Sequence, residues 1–222
     1  MKGDSILSKR LIGSFMFLGP ILAVIMIILE QSYGRGGDAS FAEQLKAMSD
    51  NYAIASISSI GFAIAILTIF IGIHGLARSM QGENKPGSDL AGLASIFAIL
   101  IAGIYMVSLG LELIATEKAS EWTEQGGDAL NAFALSEAIT RSIFVFNSLV
   151  MLFLGLAILI QKNMSKIVGG LLTVFGICGL FGGIFSAGDN WAGMIWLVGF
   201  LGFPIMTSVT GFLILWEARK NT

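Results

Sequence analysis

Six stretches of this chain run on without an aspartate, glutamate, lysine or arginine, and each is long enough to cross a bilayer. They are Leu11 to Leu29, Asn51 to Ala77, Leu90 to Leu111, Ser142 to Gln161, Ile167 to Gly188 and Asn190 to Trp216. A helix needs about 20 apolar residues to span roughly 30 Å of hydrocarbon. In lipid every backbone amide must find its partner inside the protein, so only helices or a closed barrel can cross. The runs lack the period-2 alternation of barrel strands, which leaves helices. The composition agrees, with 55% hydrophobic and 13% charged residues and a mean hydropathy of +0.82; soluble domains carry about 25% charge. The expected fold is all-α, a single polytopic six-helix bundle with spans at 11–29, 52–78, 90–114, 140–161, 166–187 and 191–216.

Lys2, Lys9 and Arg10 precede the first run as they would in a signal peptide. The run outlasts the usual h-region of roughly 7–15 residues, and ILEQSYGRGG after it has no small-x-small cleavage site. A retained helix is expected. Orientation follows from the basic residues, which resist translocation. Lys2, Lys9, Arg10, Arg78, Lys85, Lys162, Lys166, Arg219 and Lys220 fall on one side with four acidic residues. Only Arg35, Lys46, Lys118 and Arg141 fall on the other, with eleven. Both termini are therefore expected in the cytoplasm, and the acidic side outside, in a multi-pass protein of the plasma membrane.

The tetrapeptide GGDA occurs twice, at Gly36 to Ala39 and Gly126 to Ala129, once in each of two external loops with two spans between them. That spacing makes the two hairpins parallel repeats; shared turn chemistry explains so short a match equally well. After the first copy, Phe41, Leu45 and Met48 share a helical face, and Ser40 to Glu43 fits a capping box with Asp38 as an alternative cap. After the second, Leu130, Phe133 and Ala134 repeat the apolar face, and Glu137 stands four residues before Arg141. Short amphipathic helices are expected in both loops.

Inside the spans, Gly169, Gly176 and Gly183 recur every seventh residue, and Gly179 to Gly183 is a GxxxG. Small residues on one face let helix backbones approach in lipid, so these four glycines are assigned to helix packing and the fifth span to the centre of the bundle. Pro20 and Pro204 are expected to kink the first and last spans.

Groups able to do chemistry are few. Glu112 lies about one turn inside the outer end of the third span, where a carboxylate needs a partner, and Arg141 opens the fourth span on the same side. An ion pair between them is expected. Together with Glu30, Glu112 reads either as an outward-facing cation or proton site or as a carboxylate that snorkels to interfacial water. His74, the only histidine, reads as an interfacial residue beside Arg78, with a proton relay or a single ligand as the sharper alternative. One histidine excludes an intrachain bis-histidine haem, and the lone Cys178 excludes an intrachain disulfide. No metal or other cofactor is expected. No GxSxG, HExxH, P-loop or GxGxxG occurs, and no basic tract suits nucleic acid.

The segments SKRLIGSFMFLG and LFLGLAILIQKNMSKIVGGLLTVFGICGLFGG, with the external GDA loop, resemble a prokaryotic family of small polytopic integral membrane proteins of unknown function, an uncharacterised six-helix membrane domain. In that family a short basic step, often S-x-x-P-R, joins the fourth and fifth helices before a glycine-rich span. Gln161 to Lys166 keeps the basic residues and lacks the proline. The resemblance implies the fold and the membrane location and brings no catalytic residues. The expected function is non-enzymatic: a structural, regulatory or sensing role in the membrane, holding a lipid or apolar ligand. The alternative is a small transporter or channel for a cation, proton or apolar solute, its path near Glu30, Glu112 and Pro204. Membrane lipids are the expected partners, with a homo-oligomer or a membrane partner subunit as further candidates.

Overall fold

The computed structural model describes residues 7–35, 39–125, 128–185 and 190–220. It contains seven helices and no strand among them: α1 (Lys9–Ser32), α2 (Phe41–Asp50), α3 (Tyr52–Met80), α4 (Ser88–Gln125), α5 (Asp128–Gln161), α6 (Lys166–Phe185) and α7 (Asn190–Lys220). All except α2 are long and apolar enough to span. The chain is thus a six-span helical membrane protein; α5 begins at Asp128 and α4 runs on to Gln125, so both helices extend beyond the apolar stretches of their spans. Even numbers of spans return a chain to the side it left, so the described ends of α1 and α7 lie at the same end of the bundle.

Local chemistry sets the helix ends. Ser8 caps α1 by accepting from the Leu11 N–H at 3.2 Å. Ser40 and Glu43 form the expected capping box of α2: the Glu43 carboxylate accepts from the Ser40 N–H at 2.7 Å, and the Ser40 hydroxyl from the Glu43 N–H at 3.3 Å. Asp38 is therefore not needed as a cap, and with Gly36, Gly37, Gly126 and Gly127 it lies outside the described residues. Only the first copy of GGDA leads into a separate short helix. In the second loop, Asp128 stands in the first turn of α5, and the amphipathic stretch runs straight into the fourth span. Pro20 and Pro204 both lie inside their helices, which continue through them.

The spans form a closed ring. α1 packs on α3, α3 on α4, α4 on α5, α5 on α6 and α6 on α7, which returns to α1. Side chains fill the middle: Phe70 of α3 meets Phe203 of α7 with ring centroids 5.9 Å apart, within one buried cluster drawn from all six spans. The end opposite the described ends of α1 and α7, called the outer end after the expected orientation, is covered by α2, whose Leu45 and Met48 pack with Ala55, Ala115, Ala129 and Phe133 into a second small core.

The assigned glycines do lie at helix contacts, but α6 is not central. In its most apolar stretch 33% of residues are buried in the bundle, against 50% for α5. One face carries Gly169, Gly176 and Gly179 against α5 and α7, and Gly183 stands beside Val145. The other exposes Ile167, Leu171, Val174, Phe181 and Ile184 to the surroundings. An all-apolar helix reads alike toward lipid and toward protein, so its glycines mark one packed face and say nothing of the opposite one.

Backbone proximity makes the seam testable. A Cβ added at Gly176 would lie 2.7 Å from the Leu152 amide nitrogen and 2.8 Å from the Ser148 carbonyl oxygen, neither of which can yield without moving α5. One added at Gly170 meets open space. Gly176→Leu is expected to lower stability in detergent by about 1–3 kcal/mol, as overpacking does, and Gly170→Leu to leave it unchanged. Equal effects of the two would remove the seam from the account of packing.

Candidate functional site

The outer end of the bundle gathers its charges on one residue. Arg35 follows α1 and reaches inward, where its guanidinium meets three carboxylates from three helices. Nη1 donates to Glu30 Oε1 at 3.1 Å and to Glu112 Oε1 at 2.8 Å; Nη2 donates to Glu112 Oε2 at 2.7 Å and to Glu137 Oε1 at 3.0 Å. The contact with Glu112 uses both oxygens and both terminal nitrogens, the bidentate geometry that suits a planar guanidinium. Ser59 of α3 adds a short hydrogen bond to Glu112 Oε1. The Arg35 guanidinium also lies over the Phe133 ring, 5.8 Å from its centroid.

The site is largely dry. Side-chain exposure is 11% for Arg35, 8% for Glu112, 17% for Glu30 and 20% for Glu137. Burial disfavours the charge on Arg35, but the attraction of Glu112, then of Glu30 and Glu137, outweighs it and holds the guanidinium well above the ordinary arginine range. Beside it, burial pushes the Tyr33 phenol up, against the opposing hydrogen bond to Ser58 at 3.1 Å.

One turn below Glu112, Ser108 and Ser136 tie α4 to α5. The Ser108 hydroxyl lies 2.8 Å from the Ser136 carbonyl oxygen, and the Ser136 hydroxyl donates to the Ser108 carbonyl at 2.9 Å. Tyr105, 8% exposed, lies two turns below Glu112 on α4, its ring edge-on to Phe62 of α3 at 5.7 Å.

The expected pairing is corrected. Glu112 pairs with Arg35 and not with Arg141, whose guanidinium lies instead over the Phe41 ring of α2, 5.9 Å from its centroid. Glu137 likewise turns inward to Arg35 rather than along its own helix to Arg141. Desolvation decides this: Arg141 is exposed and keeps its water, whereas Glu112 is buried and needs a cation that can be buried with it. Glu30 and Glu112 converge on the guanidinium of Arg35. His74 stands apart, 15 residues along α3 from Ser59 or about 22 Å by helical rise, with its Nδ1 2.8 Å from the Ser95 hydroxyl.

Sequence reasoning missed Arg35, Glu137 and Ser59 as members of the site. The available signal was a demand: two carboxylates near span ends require a buried cation, and the outer loops hold four candidates. Sequence distance does not rank them. Among the described residues no three histidine, cysteine, aspartate or glutamate side chains come together as a metal-ligand set; the guanidinium occupies the space between the carboxylates.

A double-mutant cycle tests the pairing. Glu112→Gln and Arg35→Met are each expected to destabilise the outer end, Arg35→Met by about 3–5 kcal/mol because it strands buried carboxylates. Their coupling should exceed about 1 kcal/mol, whereas Glu112→Gln with Arg141→Met should be additive within about 0.5 kcal/mol. The reverse pattern would restore Arg141 as the partner.

Compared with protein-family models, with curated proteins and with solved structures, the chain finds no match.

Proposed function

We propose that this membrane protein is non-enzymatic and has a structural, regulatory or sensing role exerted through lipid in the plane of the bilayer. The observation that carries this reading is an apolar groove of about 280 Å³ between α4 and α5, lined by Leu100, Ile104, Ile139, Ser142 and Phe146 among others, and opening sideways from the bundle. At that depth hydrocarbon is the solvent, so a phospholipid acyl chain is its natural occupant. The filled interior supports the same reading, since the cavity between α5, α6 and α7 beside Asn147 holds only about 10 Å³, the room of a single water. Kinship with the prokaryotic six-helix family belongs to this proposal, as do residence in the plasma membrane and cytoplasmic termini. The basic residues around α3–α4 and α5–α6 support that orientation.

A transporter or channel for a cation or proton is the second reading, supported by the convergence of Glu30 and Glu112. Native mass spectrometry after mild extraction separates the two. Bound phospholipid is expected on the unaltered chain and should be lost from Ile104→Trp, which fills the groove. Undiminished lipid in that variant, with proton or cation flux in proteoliposomes, would put transport first.

For orientation, cysteines replacing Ala42 or Asp128 in a Cys178→Ala chain should react with an impermeant reagent from outside intact cells. Cysteines replacing Lys85 or Lys166 should react only after permeabilisation. Labelling of both pairs from one side would overturn the orientation.

A further inference from the structure

Asn147 is an amide surrounded by apolar side chains. It lies on α5, about 21 Å by helical rise from the inner end of that helix at Gln161, and it is 3% exposed. Its side-chain oxygen accepts no hydrogen bond among the described residues. Buried polar atoms in native folds are almost always paired, by protein or by ordered water, so an orphan of this kind calls for a partner. Ser56 Oγ is also without one, but a serine hydroxyl can turn to the carbonyl one turn back in its own helix. An amide oxygen needs a donor, and a helix interior has none to spare.

A second acceptor faces the same place for a separate reason. Pro204 lies inside α7, which continues through it. Proline has no N–H, so the carbonyl of Phe200, four residues back, loses its helical donor. Residues four apart share a helix face, and Phe200 stands with Trp196 and Phe203 on the face of α7 that meets Asn147. In a membrane, carbonyls freed by proline are satisfied by neighbouring side chains or by ordered water. Beside Asn147, the Ser148 hydroxyl makes only a long contact with the Phe144 carbonyl, at 3.4 Å. Asn147, Ser148 and Phe200 border one cavity of about 10 Å³, closed by Phe144, Met151 and Trp196. That is the room of one water, and a buried water makes about three hydrogen bonds.

We propose that the cavity between α5, α6 and α7 is a binding site for a single structural water, which donates one proton to the Asn147 amide oxygen and the other to the Phe200 carbonyl freed by Pro204. The Ser148 hydroxyl completes its shell. The water links α5 to α7, which pack on either side of α6 and otherwise touch here through the Phe144 and Phe200 rings, edge-on at 5.0 Å. It lets α7 pass through its proline without stranding a carbonyl in hydrocarbon, and it gives the one amide in this part of the bundle its donor. The groups offered are oxygens without charge, and a water satisfies them by donating. A metal cation would need more oxygens than a cavity walled by aromatic rings supplies.

The test uses the full chain in lipid nanodiscs, with its asparagine side chains labelled with nitrogen-15. In solid-state NMR, magnetisation transferred from water protons should reach the Asn147 side-chain amide at short mixing times, although the residue lies in the hydrocarbon region. Its signal is assigned by its loss in Asn147→Leu or, should that variant fail to fold, in Asn147→Gln. Unfolding constants supply the second arm. Pro204→Ala returns an N–H to the Phe200 carbonyl, so that the water has less to hold. Asn147→Leu should then raise the unfolding constant by about fivefold more in the unaltered chain than in Pro204→Ala. Transfer together with coupling is the expected result. Absence of transfer, or additive substitutions, overturns the proposal. Coupling without transfer does so too, since Asn147 would then reach the carbonyl directly. So does a stabilisation by sodium chloride over choline chloride that Asn147→Leu abolishes, which would put a metal cation in the place of the water.

Discussion

The outer half of the structure depends on one buried guanidinium. Helices in hydrocarbon gain little from apolar contact alone, because lipid offers the same contact, so their association rests on close packing and polar links. Arg35 supplies such links in bulk: it joins the end of α1 to α4 through Glu112 and to α5 through Glu137, while Ser59 brings in α3 through the same carboxylate. Its stem and ring contacts then fix the cap. Arg35 lies on Phe133, Phe41 of α2 meets Phe133 edge-on at 6.1 Å, and Arg141 closes over Phe41 from outside. The exposed cation and the buried one hold the same pair of aromatic rings in place, which is why the two arginines are not interchangeable.

The inner half is held by different means. There the connections are short, with Asn84 and Lys162 in left-handed turns and Gly82 and Gly87 in conformations that suit glycine. Gln161 donates from its side-chain amide to the Met80 carbonyl at 2.7 Å and so ties the end of α5 to the end of α3. Backbones approach closely where glycines face one another, as α1 and α7 do: a Cβ on Gly211 would lie 2.8 Å from the Gly13 carbonyl oxygen. That contact closes the ring without any charge. The bundle thus has an inner end held by tight turns, a side-chain amide and close backbone contact, and an outer end held by a buried ionic cluster.

Much of this was legible in the sequence, for a physical reason. The bilayer forbids unpaired backbone and charge alike, so the gaps between charged residues mark the spans, and the Ser40 to Glu43 capping box marks the one short helix. Partner choice was not legible. Glu112 demanded a cation, and the answer depended on which arginine could be buried, a property of the closed ring and not of the local sequence. The position of α6 was hidden because isoleucines facing lipid and isoleucines facing protein look the same. The second amphipathic stretch misled in another way. Leu130, Phe133 and Glu137 have the spacing of a short surface helix and equally that of the first turns of a long one, and without a breaker between Asp128 and Gln161 the long helix prevails.

The charged cluster and the apolar groove share their two helices, and this constrains how the outer face could act on the membrane. Glu112 and Glu137 sit on α4 and α5, and the groove is cut between the same pair, with Ile139 two residues beyond Glu137 and Ile104 about two turns below Glu112. Ser108, between Glu112 and Ile104 on α4, and Ser136, next to Glu137 on α5, exchange hydrogen bonds that hold the two helices together at this level. Phe70 and Phe203 meet in the middle of the ring, and the guanidinium of Arg35 is held by carboxylates of the two helices that line the groove. Arg35 bridges Glu112 of α4 and Glu137 of α5, so the ionic cluster and the apolar groove are built on the same pair of helices.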